Sequence, residues 1–178
     1  MIDKISVITA RAILKNAPDH PTSEAVLKYA LEGVYNVLFI LVFTLGISIA
    51  THRIPETFTC LISFALLRQI SGGIHLKSGV MCVLVSTLLF TALSFIEINQ
   101  TEVNWLIIGT IILLLFFAPS RIERQSRIPK KFYPHLKLAS VIVVVLGWVF
   151  GSSYVVMSFF VQALTLIRLK GGEHYDQT

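Results

Sequence analysis

Residues 33–50 read GVYNVLFILVFTLGISIA, a run of 18 residues without a charged side chain. A stretch of this length and composition predicts a membrane-spanning helix. The chain is therefore predicted to be all-α, a polytopic integral membrane helical bundle of about six spans. The other apolar stretches cover residues 55–70, 79–98, 103–118 and 138–167, the last being one kinked helix or two helices joined near Gly147, Gly151, Ser152 and Ser153.

The composition of the whole chain agrees with a membrane protein. Of its 178 residues, 54% are hydrophobic and 14% are charged, whereas charged residues make up about 25% of an ordinary globular domain. A soluble fold of this size would need more polar surface. Because the chain has no internal repeat and no long linker, we expect a single membrane-embedded domain over residues 1–178.

The first 16 residues carry charges throughout and do not resemble a signal peptide. Their apolar side chains recur at helical spacing, which predicts an N-terminal interfacial amphipathic helix ending near Asn16. The alternative is a short helix packed on the rest of the protein. The apolar stripe consists of Ile5, Ile8, Ala12 and Ile13.

The distribution of basic residues predicts the orientation in the membrane. With six spans and both termini in the cytoplasm, 14 of the 15 Lys and Arg residues lie inside and only Arg53 lies outside. This asymmetry follows the positive-inside rule. The loop between the second and third spans, which contains His75, then faces the cytoplasm.

Residues 68–82 read RQISGGIHLKSGVMC and contain one histidine and one cysteine seven positions apart. On an unbroken helix His75 and Cys82 would stand about 10 Å apart along the axis, whereas a nucleophile and its base need roughly 3 Å. Gly72 and Gly73 permit a turn, so we expect His75 in a loop that folds back over the next helix. A helix capped by Ser78 would hold Cys82 near its N-terminus, where the dipole favours a thiolate.

This pattern also has plainer interpretations. A lone cysteine in a membrane helix is usually a packing residue, and a histidine in a loop is usually solvated. No third residue that would orient the imidazole is evident; Gln69 and Ser86 are candidates by proximity only. Nothing in the sequence calls for an organic cofactor. The predicted topology separates the four residues that could form a zinc site, so we expect no metal. Those four are His52, Cys60, His75 and Cys82.

The sequence around His75 resembles the accessory gene regulator B (AgrB) family of membrane cysteine endopeptidases in Gram-positive quorum sensing. The resemblance rests on Arg68, the Gly72-Gly73-x-His75 element and Cys82. It implies that Cys82 is the catalytic nucleophile and that His75 is the base that takes its proton. It also implies an enzyme that removes the C-terminal tail of a small amphipathic (AgrD-like) propeptide and promotes thiolactone or lactone ring closure.

Three basic residues are candidate contacts for the acidic tail of such a propeptide. Arg68 would bind a tail carboxylate or anchor the second span at the interface. Lys130 and Lys131 belong to a basic segment, residues 121–137, that either binds the tail or faces anionic lipid. The expected partners are thus the propeptide and the lipid bilayer, and the sequence is also compatible with a homodimer. We expect no binding of nucleic acid, because aromatic residues are sparse in this segment.

Three functional hypotheses remain open from the sequence. The first is the propeptide-processing cysteine endopeptidase. The second is a non-enzymatic membrane protein, such as a small permease or a peptide-export subunit, for which Cys82→Ala would be harmless. The third is a peptidase whose reaction ends in hydrolysis, giving a linear peptide one water heavier than the ring.

Overall fold

The computed structural model describes residues 2–17, 22–74, 78–120, 122 and 129–167 of the chain. Within these ranges the protein is all-helical, as predicted, and its named elements are seven α-helices and one short 3-10 helix. The helices are α1 Ile2–Asn16, α2 Glu24–Ala50, α3 Ile54–Ser71, α4 Gly79–Ser94, α5 Gln100–Phe117, α6 Tyr133–Phe150 and α7 Ser153–Leu164, with the 3-10 helix Lys130–Phe132 directly before α6.

Three helical segments of the described chain are long and apolar enough to cross a membrane: Glu24–Ala50, Gln100–Phe117 and Lys130–Phe150. Gly79–Ser94 and Ser153–Leu164 are shorter apolar helices. The 12 residues of α7 extend about 18 Å at 1.5 Å per residue, less than the roughly 30 Å of a hydrocarbon core. The number of crossings and their orientation stay predictions.

The surface of α2 is largely apolar, as a helix in contact with lipid requires. Large apolar side chains stand exposed on it, among them Val34 at 61%, Val42 at 56% and Ile49 at 53%. Soluble proteins rarely expose contiguous apolar surface of this extent. Two polar residues within the apolar run of the same helix, Asn36 and Thr44, are buried instead. This inside-out arrangement supports the predicted membrane environment.

The last apolar stretch forms two helices. Helix α6 ends at Phe150, and Gly151 and Ser152 adopt extended conformations before α7 begins. A side chain at Gly147 would collide with the ring of Phe159, so the glycine allows α6 and α7 to pack closely. Of the two predicted arrangements, the turn is the one observed.

Helix α1 forms as predicted, and one face of it packs on α2. Ile2, Ser6 and Ala10 are buried, and Lys28 pairs with Asp3 at 2.5 Å. The Lys28 ammonium lowers the pKa of the Asp3 carboxyl from its ordinary value through this hydrogen bond. The predicted apolar stripe lies on another face, where Ile8 is 68% exposed. The helix is therefore both packed and able to present apolar side chains to an interface.

The chain divides into two compact units. The first holds α1, α2 and α4 as far as Ala92, and the second holds α3 from Pro55 together with α5, α6 and α7. In the second unit each helix contributes to one apolar core, for example Leu67, Leu114, Val144 and Phe159. The prediction of a single domain stays a prediction.

The cap of α5 provides a test of local stability. Asn99 Oδ1 accepts a hydrogen bond from the Glu102 N–H at 3.0 Å, and Glu102 Oε2 accepts one from the Asn99 N–H at 2.8 Å. We expect Asn99→Ala to lower stability by about 1 kcal/mol, or the melting temperature in detergent by about 2–4 °C. The adjacent Gln100→Ala, which removes one exposed pair with Asn104, should change it by less than half as much. Equal shifts would contradict the capping box.

Candidate active site

The chain makes a tight turn at Gly72 and Gly73, directly after α3. Both glycines have positive φ, 74° and 131°. The turn lies beside Ser120, whose N–H donates to the Ser71 carbonyl at 2.9 Å and whose carbonyl accepts from the Gly73 N–H at 2.9 Å. Gly72 and Ser120 thereby form an isolated parallel bridge. The ends of α3 and α5 are joined through their backbones.

Glycine is required at both positions of this turn. A Cβ at Gly72 would collide with the carbonyl oxygen of Ser120, and a Cβ at Gly73 would stand 2.5 Å from Thr165 Oγ1. Positive φ is also costly for residues that carry a side chain. The sequence predicted a turn here, and the structure adds the reason why neither glycine can be replaced.

The side-chain amide of Gln162 holds the turn from α7. Its Nε2 donates to the Gly72 carbonyl at 2.6 Å and to Ser71 Oγ at 3.2 Å, and the side chain is fully buried. Sequence reasoning missed this residue. The available signal was one amide in the otherwise apolar run SYVVMSFFVQAL, since a polar group buried among helices must find partners.

Arg68 lies on the other side of the turn. Its Nη2 donates to the Ile74 carbonyl at 2.5 Å, and its guanidinium stands 5.8 Å from the ring centroid of Phe64. The Ile74 N–H donates to the Thr165 carbonyl at 3.1 Å. The backbone is therefore held as far as Ile74, and Arg68 contacts the turn itself, a role that neither predicted alternative included.

His75 lies outside the described residues, and description resumes at Ser78. There the Met81 N–H reaches Ser78 Oγ at 3.4 Å and the Cys82 N–H donates to the Ser78 carbonyl at 2.9 Å. Ser78 thus caps α4 as predicted. Cys82 is the fourth residue of that helix and is partly exposed.

The two cysteines occupy different environments. Cys60 is fully buried in the second unit, and its thiol donates weakly to the Tyr154 carbonyl at 3.8 Å. Cys82 belongs to the first unit and is partly exposed. A nucleophile must be reached by its substrate, so Cys82 is the better candidate of the two. Among the described residues no group of three or more His, Cys, Asp or Glu side chains is placed to hold a metal ion.

The described basic residues at the start of α6 differ in what they contact. Lys137 Nζ donates to the Leu115 carbonyl at 2.7 Å and so satisfies one of the carbonyls that the end of α5 leaves without a helical partner. Lys130 and Lys131 are exposed. Lys131 Nζ stands 5.1 Å from the ring centroid of Phe132. These two exposed lysines are the pair that the sequence analysis proposed as contacts for the acidic tail.

Comparison with known proteins gives one consistent family. The profile described as Accessory gene regulator B (AgrB) matches residues 6–169. AgrB-like proteins of Listeria welshimeri and Listeria monocytogenes are 31% and 35% identical over 119 and 121 residues, each covering 65% of this chain and 58% of the relative. The accessory gene regulator protein B of Staphylococcus aureus is 30% identical over 147 residues, 76% of this chain and 78% of that protein. The chain thus spans less than two thirds of the Listeria proteins, and no solved structure is significantly similar to it.

Substitution of the turn glycines tests the geometry described above. We expect Gly72→Ala to destabilise the protein by about 2–5 kcal/mol, because the new methyl group meets the Ser120 carbonyl and the residue must keep a positive φ. The matched control is Gly46→Ala in α2, where nothing lies within 4 Å of the added Cβ; it should be neutral or stabilising by about 0.5–1 kcal/mol. Thermal unfolding in detergent measures both, and a harmless Gly72→Ala would refute the observed turn.

Proposed function

The chain belongs to the accessory gene regulator B family, and on this basis we propose that it is a membrane cysteine endopeptidase acting in quorum-sensing peptide processing. Its proposed substrate is a small amphipathic propeptide. It removes the C-terminal tail of that propeptide through an acyl-enzyme on Cys82 and promotes closure of a thiolactone or lactone ring.

The observation that carries this proposal is the partly exposed Cys82 near the start of a helix that Ser78 caps, seven positions after His75. Before His75, the backbone is fixed as far as Ile74 by Arg68 and Thr165. After it, Ser78 caps the helix that presents a partly exposed Cys82. A partly exposed thiol near the start of a capped helix, with a histidine a few residues before that helix in the sequence, is the equipment that a cysteine nucleophile and its base require.

The first step transfers the propeptide to the enzyme. His75 takes the proton of Cys82, and the thiolate attacks the carbonyl carbon of the bond before the tail. As the tetrahedral intermediate collapses, the carbon–nitrogen bond breaks and the imidazolium protonates the departing amine. The N-terminal part of the propeptide is then a thioester on Cys82, and the tail leaves with a free amino terminus.

The second step releases the product by acyl exchange. A cysteine or serine within the bound propeptide attacks the thioester carbonyl, forming the ring bond and returning the Cys82 thiol. Water attacking the same carbonyl would give a linear acid, one water heavier than the ring. A site at the membrane surface that limits water access therefore favours the cyclic product.

We propose that Lys130 and Lys131 attract the acidic tail. Both are exposed on the 3-10 helix that precedes α6, and clustered lysines raise the local concentration of an anionic partner. Arg68 is proposed mainly as a support of the turn, since it donates to the Ile74 carbonyl. A carboxylate contact by Arg68 would use its remaining N–H donors.

The proposed location is the cell membrane, with the site at the cytoplasmic face. The family, the three long apolar helical segments and the exposed apolar surface of α2 support a membrane protein. The six-span arrangement with cytoplasmic termini is proposed from the asymmetry of basic residues.

Replacing the proposed nucleophile is the first functional test. Incubated in liposomes with a candidate propeptide, Cys82→Ala should show no cleavage above background, because the remaining cysteine, Cys60, is fully buried. Cys60→Ala, which removes the buried thiol, is the matched control and should retain cleavage within about threefold. Mass spectrometry of the released tail measures both. Retained cleavage by Cys82→Ala would refute the nucleophile.

The orientation is tested by labelling single cysteines in intact cells. In a background without Cys60 and Cys82, a cysteine placed at Asn99 should react with a membrane-impermeant maleimide, because the proposed topology puts this loop outside. One placed at Gln125 should react only after the cells are opened. Reversed accessibility would overturn the orientation and the cytoplasmic site.

A further inference from the structure

We infer that the pocket between the end of α5 and the start of α6 binds an anionic phospholipid, with the phosphate at Lys137 and an acyl chain on the neighbouring apolar surface. This α5–α6 pocket has a volume of about 540 Å³, within the roughly 300–1,000 Å³ that is usual for small-molecule sites. Its lining residues all belong to the second unit. The inference rests on the proposed crossing of the membrane by α5 and α6, and it is independent of the proposed peptidase reaction.

The lining of the α5–α6 pocket combines apolar walls with one cation. Phe116 and Phe117 are the last two residues of α5, and Tyr133 and Pro134 are the first two of α6. Lys137 also lines the pocket, one turn further along α6. Three aromatic rings beside an ammonium group suit a ligand that joins an anionic group to hydrocarbon.

The end of α5 holds the ammonium group of Lys137 at the pocket. Its Nζ donates to the Leu115 carbonyl at 2.7 Å, which uses one of the three N–H donors of an ammonium group. The other donors can reach phosphate oxygens, and such charge-assisted hydrogen bonds are among the stronger ones in proteins. Residues 129–137 contain no Asp or Glu, and the positive end of the α6 dipole also favours an anion here.

The apolar wall of the pocket continues along both helices. On α5, Ile112 lies one turn before Phe116, and both side chains are exposed. On α6, Leu138 and Ile142 are exposed one turn apart, directly after Lys137. These positions belong to segments that are long and apolar enough to cross a membrane. An acyl chain attached to a headgroup at Lys137 would therefore extend over apolar side chains of the same two helices.

A phospholipid fits this pocket better than the acidic tail of the propeptide does. In the proposed topology α5 ends and α6 begins at the cytoplasmic surface, where the leaflet carries anionic headgroups. Basic pockets between membrane helices on that side are known to bind such headgroups. The lysines proposed for the tail, Lys130 and Lys131, lie outside the pocket lining, and a polar tail would gain nothing from the exposed ring of Phe116.

The experiment counts lipid molecules on the full chain by native mass spectrometry in a neutral detergent. The probe is dioleoyl phosphatidylglycerol, and the comparison is dioleoyl phosphatidylcholine, which has the same chains. We expect one phosphatidylglycerol per chain, bound at least about tenfold more tightly than phosphatidylcholine, because the latter brings a second cation close to Lys137. Glycerol phosphate, which supplies the phosphate without the chains, should not displace the lipid at equal concentration.

Two pairs of variants place the lipid in the pocket. Lys137→Met removes the ammonium group at similar length and should weaken phosphatidylglycerol binding at least about tenfold; Lys15→Met, which removes an exposed lysine of α1, should leave it unchanged. Phe116→Ala removes a ring that is 78% exposed, so this variant should fold normally and bind about threefold to tenfold more weakly. Phe150→Ala, which removes an 83% exposed ring at the other end of α6, is its control.

Several outcomes would overturn the inference. Equal binding of the two phospholipids would refute recognition of the negative charge, and displacement by glycerol phosphate would show an anion site without a role for the chains. If Lys137→Met does not elute as a folded species, Lys137→Arg should retain the lipid and Phe116→Ala should still weaken it; unchanged binding by Phe116→Ala would refute the site. If Phe116→Ala weakens binding of a candidate propeptide and not of the lipid, the pocket belongs to the substrate. None of these measurements involves cleavage, so loss of the lipid site would leave the proposed reaction of Cys82 standing.

Discussion

The backbone pairing between Ser120 and the Gly72–Gly73 turn is the constraint that organises this end of the second unit. Two hydrogen bonds of 2.9 Å join the end of α3 to the segment that follows α5, and the contact is so close that a side chain at Gly72 would meet the Ser120 carbonyl. Glycine at both positions is therefore required for the backbone of the turn to come this close to the backbone of Ser120. Every other contact to the turn, from Arg68 on one side and Gln162 on the other, adds to a backbone already held.

The same end of the second unit collects the C-terminal ends of three helices, where backbone carbonyls lack helical partners. Their partners come from elsewhere in the unit, as when Lys137 donates to the Leu115 carbonyl. In an apolar environment these carbonyl groups must accept hydrogen bonds from within the protein. Polar contacts thus tie the C-terminal ends of α3, α5 and α7 together at the Gly72–Gly73 turn.

Much of this arrangement was predictable from the sequence, because helices follow hydrophobic runs and caps. The boundaries of α3 and the Ser78 cap agree with the predictions, and the break before α7 is one of the two arrangements foreseen. The role of Gln162 was not predictable, since its partners lie about 90 positions away and hydrophobic periodicity carries no information on long-range hydrogen bonds. The buried face of α1 was missed for a related reason: it includes the small residues Ser6 and Ala10, whereas a hydrophobicity pattern selects the larger isoleucines.

The central claim, an acyl-enzyme on Cys82, is tested most directly by trapping it. A propeptide whose ring-forming cysteine or serine is replaced by alanine cannot complete the second step, so its N-terminal part should remain on the protein. We predict an intact-mass increase equal to that fragment less one water, mapped to Cys82 by peptide mass spectrometry and absent from Cys82→Ala and His75→Ala. Release of the tail with no adduct on Cys82, or with the adduct on another residue, would contradict the mechanism.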